Sequence, residues 1–280
     1  MRVYIHEQLG NQMFQYAAAR RISLHNKTDL YLDTSFFGRR KNGYMLAKFN
    51  INATEINSFF HLLLVKLKIR KQRSVLYSSL PRGGGGHSFN SEILEVPNKY
   101  FLYGMFQSYF YFDCIRDVLL EDFSLKENYI EEENFKTKEL IELNNSISVH
   151  IRRGDYLNSN ELNVCSLAYY KKAIKFFLNK FNNPKFFIFS DDIEYCKKNL
   201  NFSDLIFVSN NNPKKSMLSD FQLMQLCKHH IISNSTFSWW AAYLSHIKNN
   251  NIVVAPYKWD IDEKWPIKEK LLPSWVKIYF

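Results

Sequence analysis

The segment His150-Ile151-Arg152-Arg153-Gly154-Asp155-Tyr156 closes a run, 146–151, whose residue types read as a strand. Side chains alternate across a strand, so His150 and Arg152 share one face and Ile151 takes the other. A guanidinium stays charged at any working pH, and its planar fork can grip a diphosphate through two parallel hydrogen bonds. Gly154 lets backbone come close to a ligand, and Asp155 offers a carboxylate to orient an arginine. The same residue types also build a purely structural Arg–Asp network, and both readings stand.

Three further clusters carry polar groups at the ends of apolar runs. Ser190-Asp191-Asp192 ends 185–190; carboxylates there either accept hydrogen bonds from a base or ribose, or cap the next helix. Asn234-Ser235-Thr236-Phe237-Ser238 opens a helix directly after a strand. Its hydroxyls, amides and the positive end of the helix dipole make an anion pocket, with Phe237 placed to cover a base or sugar. The alternative for Ser235 is a plain N-cap. Leu9-Gly10-Asn11-Gln12 ends the first strand as a glycine turn that sets Asn11 at a helix start, or serves as a capping turn only. Asp260-Ile261-Asp262 has the spacing of a metal-binding D-x-D, but it sits among tryptophans near the C-terminus rather than at a mid-sheet strand end.

The elements that must position these groups alternate. The pattern predicts strands at 2–6 and 29–33 flanking a helix from about Met13 to Leu24, an extended stretch at 99–105, and helices at 108–121 and 131–144. Beyond an Asn/Ser-rich hinge come strands at 146–151, 185–190, 205–209, 230–233 and 251–255. Helices at 167–182, after Asp191-Asp192, at 216–228 and at 235–247 separate them. This is the grammar of a doubly wound parallel sheet, whose ligands sit at the carboxyl ends of strands. Two domains are expected, 1–144 and 145–280, in keeping with a 280-residue chain. Trp239 and Trp240 read as core.

Hydrophobic residues make 46% of the chain and charged residues 23%, which excludes a disordered or low-complexity class. A net charge of +10 points to anionic partners. One alternative is therefore a non-catalytic, basic RNA- or glycan-binding protein, but basic residues interleaved with aromatics along one surface, its expected signature, are not found. Cysteines at 114, 165, 196 and 227 form no C-x-x-C pair and suit reduced, buried thiols. Four glycines at 83–86 lack the Lys-Ser/Thr of a P-loop. No targeting segment or apolar run of membrane-spanning length is present, so a cytoplasmic location is expected. The basic amphipathic stretch 59–73 is either a core helix with a solvated edge or a peripheral contact with an anionic membrane.

Gly10-Asn11-Gln12-Met13-Phe14-Gln15-Tyr16-Ala17, then His150 to Tyr156, then Asn234 to Leu244 resemble the α-1,2-fucosyltransferase family in order and spacing. Tyr103-Gly104-Met105-Phe106-Gln107-Ser108 and Ala255-Pro256-Tyr257-Lys258-Trp259 resemble its minor signatures, so the likeness runs through the whole chain. It implies a GT-B-like pair of Rossmann-type domains with the donor site in the inter-domain cleft. The first would be acceptor-side and the second would bind GDP-L-fucose. It also implies transfer of fucose with inversion, through an α-1,2 link to galactose in a glycan, with no metal, no cofactor and no nucleic acid partner. The family's H-x-R-R-G-D segment maps donor binding onto His150, Arg152, Arg153 and Asp155. Its S-T-F segment, shared with protein O-fucosyltransferases, maps it onto Ser235, Thr236 and Phe237. Asp191, Asp192, Asn234, Gly10, Asn11 and Gln12 complete the expected GDP-fucose site. Arg152, His150 and Glu7 are the expected catalytic residues, with Glu7, His6 and Asp155 all open as general base. Family members carry glycines where this chain has Glu7-Gln8, a departure in the acceptor-side loop.

Overall fold

The computed structural model describes residues 1–38, 43–57, 76–78, 88–98, 100–159, 161–208, 213–245, 251–263 and 265–279. The basic stretch 59–73 and the glycine run lie outside them. The chain forms two compact units: Met1–Glu127 with Lys268–Lys270, and Asn128–Ile267 with Leu271–Phe280.

The first unit holds a five-stranded, wholly parallel sheet of β1 (Arg2–Tyr4), β2 (Tyr31–Asp33), β3 (Thr54–Ile56), β4 (Leu76–Ser78) and β5 (Phe101–Tyr103), in the order β3-β2-β1-β5-β4. The chain winds outward from β1 to β3 and returns on the other side of β1, so the winding reverses between β1 and β5. Helix α1 (Leu9–His25) follows β1 and is buried almost all round, with Tyr16, Ala17, Ala18, Ala19 and Ile22 fully enclosed. The helix expected over 108–121 is interrupted. Two 3-10 turns, Tyr109–Tyr111 and Asp113–Ile115, precede helix α2 (Arg116–Asp122), because Phe112 adopts a non-helical φ of −147°.

The second unit starts earlier than the expected seam at 144–145. Helix α3 (Phe135–Leu143) belongs to it, packing on the first strand of its sheet. That sheet is six-stranded and parallel: β6 (Ser146–Ile151), β7 (Lys185–Ser190), β8 (Leu205–Phe207), β9 (His229–Ile231), β10 (Val253–Pro256) and β11 (Val276–Ile278). Its order, β11-β10-β9-β6-β7-β8, reverses between β6 and β9. Every residue of β6 is buried, as expected of a central parallel strand covered on both faces. Helix α4 (Leu167–Lys180) lays Tyr169, Tyr170, Ala173, Ile174 and Phe177 into that core at helical spacing, and Ser166 caps it by accepting from Tyr169 N. Helices α5 (Ile193–Asn199), α6 (Pro213–Leu226) and α7 (Thr236–Tyr243) link the later strands. A short helix, α8 (Ile267–Lys270), precedes β11.

The two parallel α/β units make the GT-B-like architecture expected from the sequence. Of the four thiols only Cys196 and Cys227 are buried; Cys114 is exposed and Cys165 intermediate, which corrects the expectation of four buried groups. Among the described residues no helix is long and apolar enough to cross a membrane.

Candidate active site

The register of β6 on β7 decides what the arginines meet. Ser146 pairs with Lys185 and Ile151 with Ser190, so the two strands end side by side. Ser190 Oγ donates to the Ile151 carbonyl at 2.8 Å and locks the two ends together. The next residues on each strand are then forced to face each other. Arg152 Nη1 lies 3.0 Å from Asp191 Oδ2, while Asp191 Oδ1 accepts from Arg153 N at 2.9 Å. Arg153 Nε donates to Asp192 Oδ2 at 3.1 Å, and its guanidinium sits over the Tyr195 ring, 3.1 Å from the centroid. Asp192 also caps α5 through Tyr195 N. The acids thus hold the arginines, as the network and capping alternatives would have it. Gly154 leaves the space that the Asp191 carboxylate occupies. Asp155 opens a 3-10 turn, Asp155–Asn158.

On the other side of β6, at the point where the winding reverses, His150 Nδ1 shares a hydrogen bond of 3.0 Å with Ser233 Oγ, itself 3.4 Å from Ser238 Oγ. Burial first, then the charge of Arg152, push the His150 pKa down to about 3, so its imidazole is neutral at working pH. The Phe237 ring stands 5.5 Å from the His150 ring. Asn234 is fully committed. Its Nδ2 donates to the carbonyls of Leu162 (2.9 Å) and Trp259 (2.8 Å), and its Oδ1 accepts from Cys165 Sγ at 3.4 Å. Its own carbonyl receives Tyr156 OH at 3.2 Å. Asn234 therefore pins the loops around the site. Ser235 stands at the N-cap of α7 but makes no side-chain capping bond, leaving the plain N-cap alternative without its hydrogen bond. Thr236 and Phe237 are partly exposed on the helix's first turn, and Trp239 and Trp240 are core. A strand end bearing a guanidinium, a neutral imidazole and a helix N-terminus at a reversal of winding is where an open α/β sheet takes an anionic ligand.

In the first unit the expected glycine turn is helix. Gly10, Asn11 and Gln12 lie in the first turns of α1, whose N-cap is Gln8. Gln12 is fully buried: Nε2 donates to the Glu7 and Gly43 carbonyls (2.8 and 2.7 Å), and Oε1 accepts from Met45 N at 2.9 Å. It fixes the loop from inside. Asn11 Oδ1 accepts from Gln107 Nε2 at 2.7 Å, and Gln107 Oε1 accepts from the buried Lys270 ammonium at 2.8 Å. Glu7 is half-exposed, with Oε1 3.9 Å from His6 Nδ1, and its φ of +66° is a left-handed value that costs an L-residue energy. Burial lowers the His6 pKa, and Glu7 and the Gly104 carbonyl only partly offset it. Asp260 is buried and accepts from Trp265 N at 3.1 Å. Among the described residues no cluster of His, Cys, Asp or Glu could hold a metal.

Sequence reasoning missed Ser233, Tyr195 and Gln107. Ser233 is legible only once β6 and β9 are known to be neighbours. Tyr195 is one turn into the helix that Asp192 caps, a signal that was present.

Residues 1–279 match glycosyl transferase family 11. The chain belongs to that family. The resemblance to α-1,2-fucosyltransferases is thereby borne out, and the alternative of a non-catalytic binding protein gives way to an enzyme. The family 11 chain is 33% identical to the Escherichia coli alpha-1,2-colitosyltransferase over 96% of both chains. It is 31% identical to the E. coli O-antigen biosynthesis glycosyltransferase WbnK over 96% of this chain and 97% of that one. Bovine galactoside alpha-(1,2)-fucosyltransferase 2 is 26% identical, with 97% of this chain and 76% of the relative covered. Among solved structures, a variant of Arabidopsis thaliana FUT1 in complex with GDP shares the fold with a TM-score of 0.52. Its identity is 12%, with 90% of this chain and 69% of that one covered.

Proposed function

We propose that this family 11 enzyme transfers L-fucose from GDP-L-fucose to a hydroxyl of a galactose-containing glycan, forming an α-1,2 link with inversion. The second unit takes the donor and the first the acceptor. The observation that carries the reading is Arg152, held by Asp191 at the end of β6 beside the reversal point of the sheet. As the anomeric carbon–oxygen bond to GDP breaks, negative charge grows on the β-phosphate. The Arg152 guanidinium and the amides opening α7 at Ser235 and Thr236 stabilise that charge, work that a metal performs in D-x-D enzymes. Neutral His150, fixed by Ser233, adds a hydrogen bond without repelling Arg152. The acceptor oxygen bonds to the anomeric carbon from the opposite face and gives up its proton, with Glu7, His6 or Asp155 as the acceptor of it. No metal or cofactor takes part. The enzyme works in the cytoplasm.

The relatives' names support the linkage, and they differ in the sugar. Mass spectrometry and linkage analysis of products from GDP-fucose, the corresponding colitosyl donor and a panel of galactosides test the reading. Fucosylation of a terminal galactose at O2 is expected. Transfer of colitose alone, or of fucose to another position, would overturn it.

A further inference from the structure

The first unit has its own reversal point, between β1 and β5; β1 and β5 end there on Tyr4 and Tyr103, and β2 ends on Asp33, with Phe36 in the 3-10 turn that follows it. His6 lies between two rings: stacked on Tyr103 (centroids 5.3 Å apart, planes at 23°) and 6.0 Å from Phe36. Tyr4 closes the floor, 5.6 Å from both His6 and Tyr103. Phe36 is 50% exposed, a large apolar ring left in water at a strand end. His6 is only 7% exposed, its backbone N–H is taken by Gln15 Oε1, and its ring lies near the Glu7 carboxylate and the Gly104 carbonyl with its buried Nε2 in no hydrogen bond of good geometry. Such a nitrogen at a ligand address calls for a partner. Beside it, the half-exposed Glu7 sits in a left-handed backbone conformation, and strain of that kind collects at ligand clamps.

Among the described residues, the charged groups against these rings are the carboxylates of Glu7 and Asp33. A neutral sugar ring suits the place: its apolar C–H face lies on an aromatic ring, and its hydroxyls reach a carboxylate and an imidazole nitrogen. We infer that the carboxyl ends of β2, β1 and β5 form a stacking site for a neutral pyranose, with Phe36 under the ring and Glu7 and His6 Nε2 on its hydroxyls. This deepens the proposed function, on which it rests, by giving the acceptor sugar its own platform.

Saturation-transfer NMR on the full chain, with methyl β-D-galactopyranoside as probe, tests it. Transfer to the probe's ring protons is expected in the wild type and should persist with GDP added. Phe36→Ala should weaken probe binding by about tenfold, and Phe36→Tyr should keep it. Phe36 is half-exposed, so the Ala variant should keep the wild-type thermal midpoint. Absence of transfer in the wild type, equal transfer in Phe36→Ala, or displacement of the probe by GDP would each overturn the site. A GDP titration on the same samples reads the donor separately. If GDP fails to bind, the donor assignment falls; if GDP binds while the probe does not, only the stacking site falls.

Discussion

A β-carbon on residue 154 would stand 2.9 Å from Asp191 Oδ2, so Gly154 and Asp191 share a space that only a glycine leaves open. Asp191 cannot retreat freely, because its two oxygens hold Arg152 and the Arg153 amide. Gly154→Ala should therefore act on Arg152 at one remove. A displacement of about 1 Å in a catalytic group costs up to about 10²-fold. Turnover should fall by that order while thermal stability changes little. Wild-type turnover in the Ala variant would show that Asp191 does not set the arginine's position.

Arg152→Ala removes the charge itself. Loss of one preorganised donor to a developing anion is worth about 2.7–4 kcal/mol, about 10²–10³ in kcat. Arg152→Lys should recover little, because a point charge cannot both pair with Asp191 and fork onto phosphate oxygens. Steady-state kinetics with saturating donor distinguish this from weakened GDP binding.

Activity should survive excess EDTA, since Arg152 and the start of α7 supply the positive field. Asp260 is occupied with Trp265 N, and Asp260→Asn keeps an acceptor there, so it should be mild. Activity lost to EDTA and restored by Mn²⁺ or Mg²⁺ would reverse the assignment.

Glu7 separates stability from function. Its φ of +66° costs an L-residue about 1–2 kcal/mol, which glycine avoids. Glu7→Gly should raise the unfolding free energy by about 1 kcal/mol once the greater flexibility of glycine in the unfolded chain is subtracted. If Glu7 receives the acceptor proton, Glu7→Gln should lower turnover by about 10²–10⁴ with GDP affinity unchanged. Full activity in Glu7→Gln would leave the carboxylate without a chemical role.

Acid should destabilise the fold in a defined window. Burial pushes the pKa values of His150 and His230 to about 3, whereas an unfolded histidine titrates near 6.5. Between those values the unfolded chain binds more protons than the folded one, so stability is intact above pH ~6.5 and falls as pH drops. Each histidine contributes about 1.4 kcal/mol per pH unit. Denaturation at pH 6 and 5 should show at least this slope for two groups; a flat profile would mean that the imidazoles charge in place.

Much of the second sheet was legible because its central strands are six residues long and rich in buried aliphatic and aromatic side chains: β6 and β7 fall where the sequence put them, residue for residue. Arg152 was legible too, as a basic group at a strand end. Its partner was not, because nothing in the local sequence says that β7 lies beside β6 in a register that brings Asp191 opposite it. The first unit was harder. Its strands are three residues long, and β3 is mostly exposed, too little for an alternating pattern to emerge. The turn expected at Leu9-Gly10-Asn11-Gln12 failed for a physical reason. Gln12 bonds to the Glu7, Gly43 and Met45 backbone, which secures the loop from within and frees the glycine to join the helix.

Residues Lys268–Lys270 count with the first unit although the chain on both sides of them counts with the second. Within the first unit the Lys270 ammonium bonds to Gln107, and Glu269 accepts from Phe89 N. During synthesis, then, the first sheet to leave the ribosome is among the last things to be finished. Until residue 270 emerges, Gln107, the partner of Asn11 at the start of α1, lacks the ammonium that holds it. A nascent or truncated chain stopped at residue 267 would lose support in the half of the molecule that had every strand of its sheet already made.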